Sequence, residues 1–157
     1  MKKAACSISG TSKRGFLCKI KFIKVNDERL VILIVDDSAI VIEKMIGILQ
    51  DLENIRIVFQ AANFAEAITI IRETEPDLVI MDIFLQDNIG IDLLKFMQGK
   101  YDGIEIVVLT NHVGDHYRDI CKKLGAHHFF DKSVDFDLIP KMISARGAVE
   151  KMKRNEN

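Results

Sequence analysis

No stretch of this chain is long and apolar enough to cross a bilayer. The longest uninterrupted apolar run, Leu30 to Val35, is six residues, against the roughly 20 that a spanning helix needs. Cysteine is equally scarce: Cys6, Cys18 and Cys121 are an odd number, at spacings that match neither a zinc framework nor a disulfide scaffold. They read as reduced cytosolic thiols. A secretory leader is not evident either, because Lys2-Lys3 is followed by the polar stretch 7–14 rather than by an apolar core. The expectation is a protein retained in the cytoplasm, without a membrane partner. Internal repeats and low-complexity tracts are absent as well. What remains is 157 residues, 48% apolar and 29% charged, which suits one globular domain. That length buries a sizeable core without metal or disulfide staples.

The net charge of −1 conceals an asymmetry. Residues 1–29 carry eight basic and two acidic side chains, the remainder 14 and 21. We therefore divide the chain into a basic N-terminal extension, 1–29, and a domain over 30–157. The basic run reads most simply as a solvated tail, with contact to acidic surfaces as the alternative.

From residue 30 onward short apolar runs alternate with amphipathic segments. The pattern predicts strands over 30–35, 55–61, 78–81, 104–109 and 128–130, and helices over 39–52, 64–74, 91–99, 116–124 and 138–154. Ser38 is placed to cap the first helix, and Asn63 with Glu66 forms an Asn variant of the capping box. Gly125 is placed to end the fourth helix in a left-handed conformation. Pro140 is tolerable only in a first turn, which requires Asp137 as the cap. Strict strand–helix alternation with strands apolar throughout implies a doubly wound α/β fold, a parallel sheet with helices on both faces. Right-handed crossovers then bring every strand's C-terminal end to one edge, where the functional crevice of such sheets lies.

The residues delivered to that edge are specific. The first strand ends in Asp36-Asp37, the third in Asp82, the fourth in Thr110, and the fifth is followed closely by Lys132. Singly, each reads as a turn former, a cap or a solvated charge. Together, three carboxylates and one ammonium leave a charge of −2 at the mouth of a low-dielectric crevice, which a divalent cation would neutralise. All-oxygen ligation points to a hard ion, and an open site with few carboxylates suits Mg²⁺ better than Ca²⁺. With the ion, Thr110 and Lys132 make a pocket for a phosphoryl group, and the remaining carboxylate can act as nucleophile to form an acyl phosphate.

The stretches VILIVDDSAIV, PDLVIMDIFLQDNIGIDLLK, IEIVVLTNH and GAHHFFDKS closely resemble the receiver domain of bacterial two-component response regulators. The resemblance implies a flavodoxin-like sheet of strand order 2-1-3-4-5. It implies Asp82 as phosphoacceptor, Asp37 as a direct Mg²⁺ ligand and Asp36 as a ligand through water, with the Phe84 backbone carbonyl completing the protein ligands. Thr110 and Lys132 would bind the phosphoryl oxygens, and Thr110 with Phe129 would form the switch. The phosphodonor would be a sensor histidine kinase or a histidine phosphotransfer protein. A downstream protein would read the face of the fourth helix, fifth strand and fifth helix, residues 111–143, without direct nucleic-acid binding. Such a domain is not an enzyme in the usual sense, since it assists only its own phosphorylation and dephosphorylation.

Several positions depart from the family pattern. Ser133 stands where a proline after a cis bond is usual, Gln86 where the loop over the site has a proline, and Asn111 where a small residue is typical. Phe84 and His112 occupy positions that influence dephosphorylation in this family, and a bulky rim there implies slow hydrolysis. A flavin or nucleotide enzyme is the first rival reading, but no Gly-rich loop follows the first strand, where Asp36-Asp37 would repel a phosphate. A phosphorylation-independent interaction module is the second, and a receiver fragment of a larger regulator the third, because little chain follows the last helix. His112, His116, His127 and His128 are not at metal-binding spacing with the cysteines. Met45, Met81, Met97 and Met142 fit core positions, as does Cys121.

Overall fold

The structure, a computed structural model, describes residues 29–85 and 89–155. The basic extension up to residue 28, with Cys6 and Cys18, lies outside the described residues, as does Gln86. The elements in chain order are β1 (Leu30–Val35), α1 (Ala39–Leu49), β2 (Ile55–Ala61), α2 (Phe64–Thr74), β3 (Leu78–Met81), α3 (Ile89–Met97), β4 (Glu105–Thr110), α4 (Asp115–Lys123), β5 (His128–Asp131) and α5 (Leu138–Asn155). The five strands form one sheet of order β2-β1-β3-β4-β5, and every pair is parallel. This is the expected doubly wound, flavodoxin-like topology. Among the described residues no helix is long and apolar enough to cross a membrane.

The apolar strands are explained by two cores, one on each face of the sheet. Alternate strand residues point to opposite faces. Leu33, Val35, Val79, Met81, Ile106 and Val108 face one cluster, completed by Ala67 and Ile71 of α2, Leu93, Leu94 and Met97 of α3, and Cys121 of α4. Their neighbours Ile32, Ile34, Leu78, Ile80, Val107 and Leu109 face the other, with Ile42, Met45 and Leu49 of α1 and Ile139 and Ile143 of α5. The expectation of strands buried throughout holds for β1 and β3. It fails for β2 and β5, which are mostly half-buried because each is an edge strand.

Local signals place most boundaries. Asn63 Oδ1 accepts a hydrogen bond from the Glu66 N–H at 3.0 Å, while the Glu66 carboxylate reaches one residue beyond the box, to the Ala62 N–H at 2.9 Å. Gly125 adopts φ +95°, a conformation that costs glycine little. Pro140 is the third residue of α5, where its missing donor loses no intrahelical bond. Ser38 is a correction: it occupies the N-cap position, but its side chain makes no capping bond. Instead its own N–H donates to Asp36 Oδ1 at 2.9 Å. The first helix also stops at Leu49, three residues early, where Gln50 closes the last turn on the Ile46 carbonyl. At the opposite end of the sheet Glu105 ties β4 to α5 and β5, through Arg146 at 2.6 Å and His128 at 2.8 Å.

Candidate functional site

Backbone hydrogen bonds carry the sheet ladder one step beyond the strands and set the site residues side by side. The Asp36 N–H donates to the Ala61 carbonyl, the Asp82 N–H to the Val35 carbonyl, and the Lys132 N–H to the Thr110 carbonyl. Asp36, Asp82, Thr110 and Lys132 therefore share the C-terminal edge. Asp36, Asp82 and Thr110 are also the buried polar residues of the described chain, at 2%, 6% and 0% exposure.

Lys132 joins two of them. Its Nζ lies 2.6 Å from Asp36 Oδ2 and 2.5 Å from Asp82 Oδ2, so one ammonium bridges both carboxylates. The remaining oxygens are turned to the backbone: Asp36 Oδ1 accepts from the Ser38 N–H and Asp82 Oδ1 from the Phe84 N–H, each at 2.9 Å. Burial pushes the Asp36 carboxyl above its usual range, against the opposing pull of Lys132 and the Ser38 N–H. Burial alone would lower the Lys132 pKa, but the hydrogen bonds and charges of Asp36 and Asp82 outweigh it and raise it.

Asp37 is exposed. It borders a cavity of about 360 Å³ between β1, β2, α1 and α2, lined also by Asp36, Glu43, Gln60 and Glu66. Among the described residues no three His, Cys, Asp or Glu side chains converge around one point as they would around a metal. The donors themselves fit a hard cation. Carboxylate oxygens suit Mg²⁺, and the buried, raised Asp36 marks a place where added positive charge is favourable.

Thr110 Oγ1 accepts a hydrogen bond from the His112 N–H at 3.3 Å. The ring of His112 lies against Phe84, centroids 3.9 Å apart, and Tyr117 meets Phe84 edge-on at 5.0 Å. Phe84, a rim residue by expectation, is half-buried within an aromatic cluster at the mouth of the site. Phe129 is half-buried, with the Arg118 guanidinium 4.7 Å over its ring. Asn111 and Ser133 meet across the loops at 3.5 Å. No peptide bond among the described residues is cis, so the Lys132–Ser133 bond is trans.

Sequence reasoning missed three residues. A Cβ on Gly90 would lie 2.4 Å from both the Asp82 carbonyl oxygen and the Ile83 Cα, so α3 packs its first turn directly onto the backbone that carries Asp82. The signal was available as a glycine immediately before the apolar helical pattern read over 91–99. Tyr117 and Arg118 carried no local signal, because the rings they meet, Phe84 and Phe129, belong to other elements. Cys121 is buried at 0% exposure, and burial pushes its thiol up to about 11, consistent with a packing role.

Comparison with known proteins identifies the family. The family described as the response regulator receiver domain matches residues 32–144. The transcriptional regulatory protein YdfI of Bacillus subtilis (strain 168) is 28% identical over 108 residues, 69% of this chain and 50% of that protein. Sporulation initiation phosphotransferase F of the same organism is 35% identical over 81 residues, 52% of this chain and 65% of that protein. The chain thus spans about half to two-thirds of the length of these curated relatives. Among solved structures, a two-component response regulator of the LuxR family from Aurantimonas sp. SI85-9A1 superimposes with a TM-score of 0.69 at 29% identity, covering 76% of this chain and 86% of that one. The matched span contains all four edge residues and, apart from Leu30, both cores, and the chain belongs to the response regulator receiver domain family.

Proposed function

We propose that this protein is a phosphoacceptor of a two-component phosphorelay, taking a phosphoryl group onto Asp82 and switching a partner-binding face. The observation that carries the reading is the bridge from Lys132 to Asp82 and Asp36, with the buried Thr110 hydroxyl one strand away. We assign the receiver unit to 30–157 and treat 1–29 as a basic extension working in the cytoplasm. Receiver domains are not enzymes in the usual sense. The chemistry here is self-directed.

A partner phosphohistidine, on a sensor histidine kinase or a histidine phosphotransfer protein, would meet Asp82. A carboxylate oxygen of Asp82 forms the new bond to phosphorus as the donor's N–P bond breaks, and the imidazole leaves. Lys132 pairs with one phosphoryl oxygen and Thr110 donates to another. Asp36, Asp37, Asp82 and the Phe84 carbonyl are the groups that would hold Mg²⁺. When bound, the ion neutralises charge on the carboxylates and the incoming phosphoryl group. The phosphoryl adds negative charge and acceptor oxygens, drawing Thr110 inward and biasing an equilibrium that involves Phe129. Residues 111–143 would then present a different surface to a downstream protein.

The donor's approach has its own support. Ile40 and Val134 are 78% and 75% exposed. Ile40 follows Asp37 by three residues and Val134 follows Lys132 by two, so both stand at the acidic edge as apolar anchors for a partner. Intact mass after incubation with a small phosphodonor tests the reading. A single Mg²⁺-dependent phosphoryl adduct, lost in Asp82→Asn, is expected. No adduct on the folded protein would favour the rival reading, an interaction module that works without phosphorylation.

A further inference from the structure

Thr110 and Phe129 are the two groups whose movement the proposed switch requires, and consecutive residues of one helical turn restrain them. Thr110 is restrained through the backbone of His112, whose N–H reaches Thr110 Oγ1 at 3.3 Å. That bond is already at the long end of the useful range, so any shift of Thr110 toward Asp82 forfeits it unless His112 follows. His112 cannot follow freely. Its ring packs on Phe84 at 3.9 Å, and Tyr117 closes the cluster, 5.0 Å from Phe84 and 6.4 Å from His112. Tyr117 is itself tied to the loop by its N–H bond to the Gly114 carbonyl at 2.9 Å.

The next residue restrains the other group. The Arg118 guanidinium lies 4.7 Å over the Phe129 ring, and its Nη1 donates to the Phe129 carbonyl at 3.5 Å. Arg118 is exposed and is a member of neither core.

We infer that Tyr117 and Arg118, adjacent in the first turn of α4, are positioning residues for the switch: Tyr117 holds Thr110 back through His112, and Arg118 holds Phe129 in its half-buried place. This inference rests on the reading of Asp82 as phosphoacceptor. On this inference both contacts belong to the resting arrangement and are given up when Thr110 and Phe129 move. Removing either enlarges the fraction of molecules already in the competent arrangement and tightens a phosphoryl mimic by the same factor. An aromatic contact or a cation over a ring is equivalent to about a three- to tenfold change in that fraction.

The test is a beryllofluoride titration in Mg²⁺, followed by amide resonances of the full chain, for the parent, Tyr117→Ala, Arg118→Gln, Tyr117→Phe and Asp82→Asn. Tyr117→Ala and Arg118→Gln should each lower the apparent Kd about three- to tenfold. Before any mimic is added, their Thr110 and Phe129 amides should already be displaced along the line from the free to the bound position. A purely structural role would not produce that displacement. Tyr117→Phe keeps the ring and should match the parent. Unchanged or weaker binding by both Tyr117→Ala and Arg118→Gln, in a parent that binds the mimic, overturns the inference alone. So does a Tyr117→Phe protein that behaves like Tyr117→Ala. A parent that binds no mimic overturns the assignment of Asp82, and this inference with it. Loss of binding confined to Asp82→Asn supports that assignment.

Discussion

Replacing Lys132 with methionine keeps most of the unbranched apolar stem and removes the one charge shared by two buried carboxylates. Asp36 Oδ2 and Asp82 Oδ2 each lie within 2.6 Å of the same nitrogen, so they stand no more than about 5 Å apart. Two unit charges at that distance repel by about 3 kcal/mol at an effective dielectric of roughly 20. Breaking one partner out of a buried ion pair costs about 3–5 kcal/mol in general, which agrees. The side chains of Lys132, Asp36 and Asp82 are 10%, 4% and 8% exposed, so solvent screens little of this.

We therefore expect Lys132→Met to lose about 3 kcal/mol of unfolding free energy at pH 7 without Mg²⁺, read by urea titration as a midpoint lower by about 1–3 M. The deficit should narrow as pH falls from 7 toward the usual carboxylate range. A carboxyl whose folded pKa is raised stabilises the folded state below its unfolded pKa and loses that contribution as pH rises through the folded one. Asp36 is already raised in the parent, and loss of Lys132 raises it further. The Lys132 contribution in the parent is constant over that window, because its raised pKa lies well above it. Asp36→Asn in the Lys132→Met background should restore at least half of the loss, and Mg²⁺ should stabilise Lys132→Met more than the parent. A variant within about 0.5 kcal/mol of the parent at pH 7 would refute the reasoning, since the ammonium would then not be what makes the acid pair tolerable.

Phe84→Asn and Asn111→Ala open the rim and should shorten the lifetime of the phosphoryl group, measured as adduct decay by intact mass. Slower decay in both variants than in the parent would contradict a shielding rim. Ile40→Ser with Val134→Ser should reduce phosphoryl transfer from a protein donor about tenfold while leaving labelling by a small phosphodonor unchanged. Equal loss with both donors would show that these residues serve the site and not the partner. Gly90→Ala forces a methyl group into the Asp82–Ile83 backbone and should cost about 1–3 kcal/mol in urea. Cys121, with its thiol pushed up to about 11, should resist alkylation at pH 8 in a Cys6→Ser, Cys18→Ser protein and react once unfolded in urea.

The elements and the edge that gathers the chemistry were legible in the sequence because both are encoded locally. Runs such as Leu30–Val35 and Leu78–Met81, alternating with helical stripes, imply a parallel sheet covered on both faces, and a parallel sheet gathers its strand C-termini on one edge. Asp36, Asp82, Thr110 and Lys132 follow as residues of one edge from that geometry alone. The resemblance to receiver domains supplied the strand order and the role of each residue. Ser38 shows the limit of local reading. The residue type and position both suit a cap, but Asp36 two residues earlier captures its N–H.

Tertiary structure alone decided what depends on approach between segments far apart in the chain. Lys132 spans to Asp36 and Asp82 across 96 and 50 positions of sequence, turning an expected open cluster of acids into a bridged pair beside an exposed Asp37. The stack of Phe84, His112 and Tyr117 brings the loops after β3 and β4 against α4, and Arg118 meets Phe129 from the neighbouring helix. Side-chain periodicity specifies which face a residue presents, and so the sequence by itself determined the architecture and the edge where the charges meet. Which side chain touches which across that edge is settled only when the helices pack, because those contacts are short-ranged and link loops that no local pattern relates.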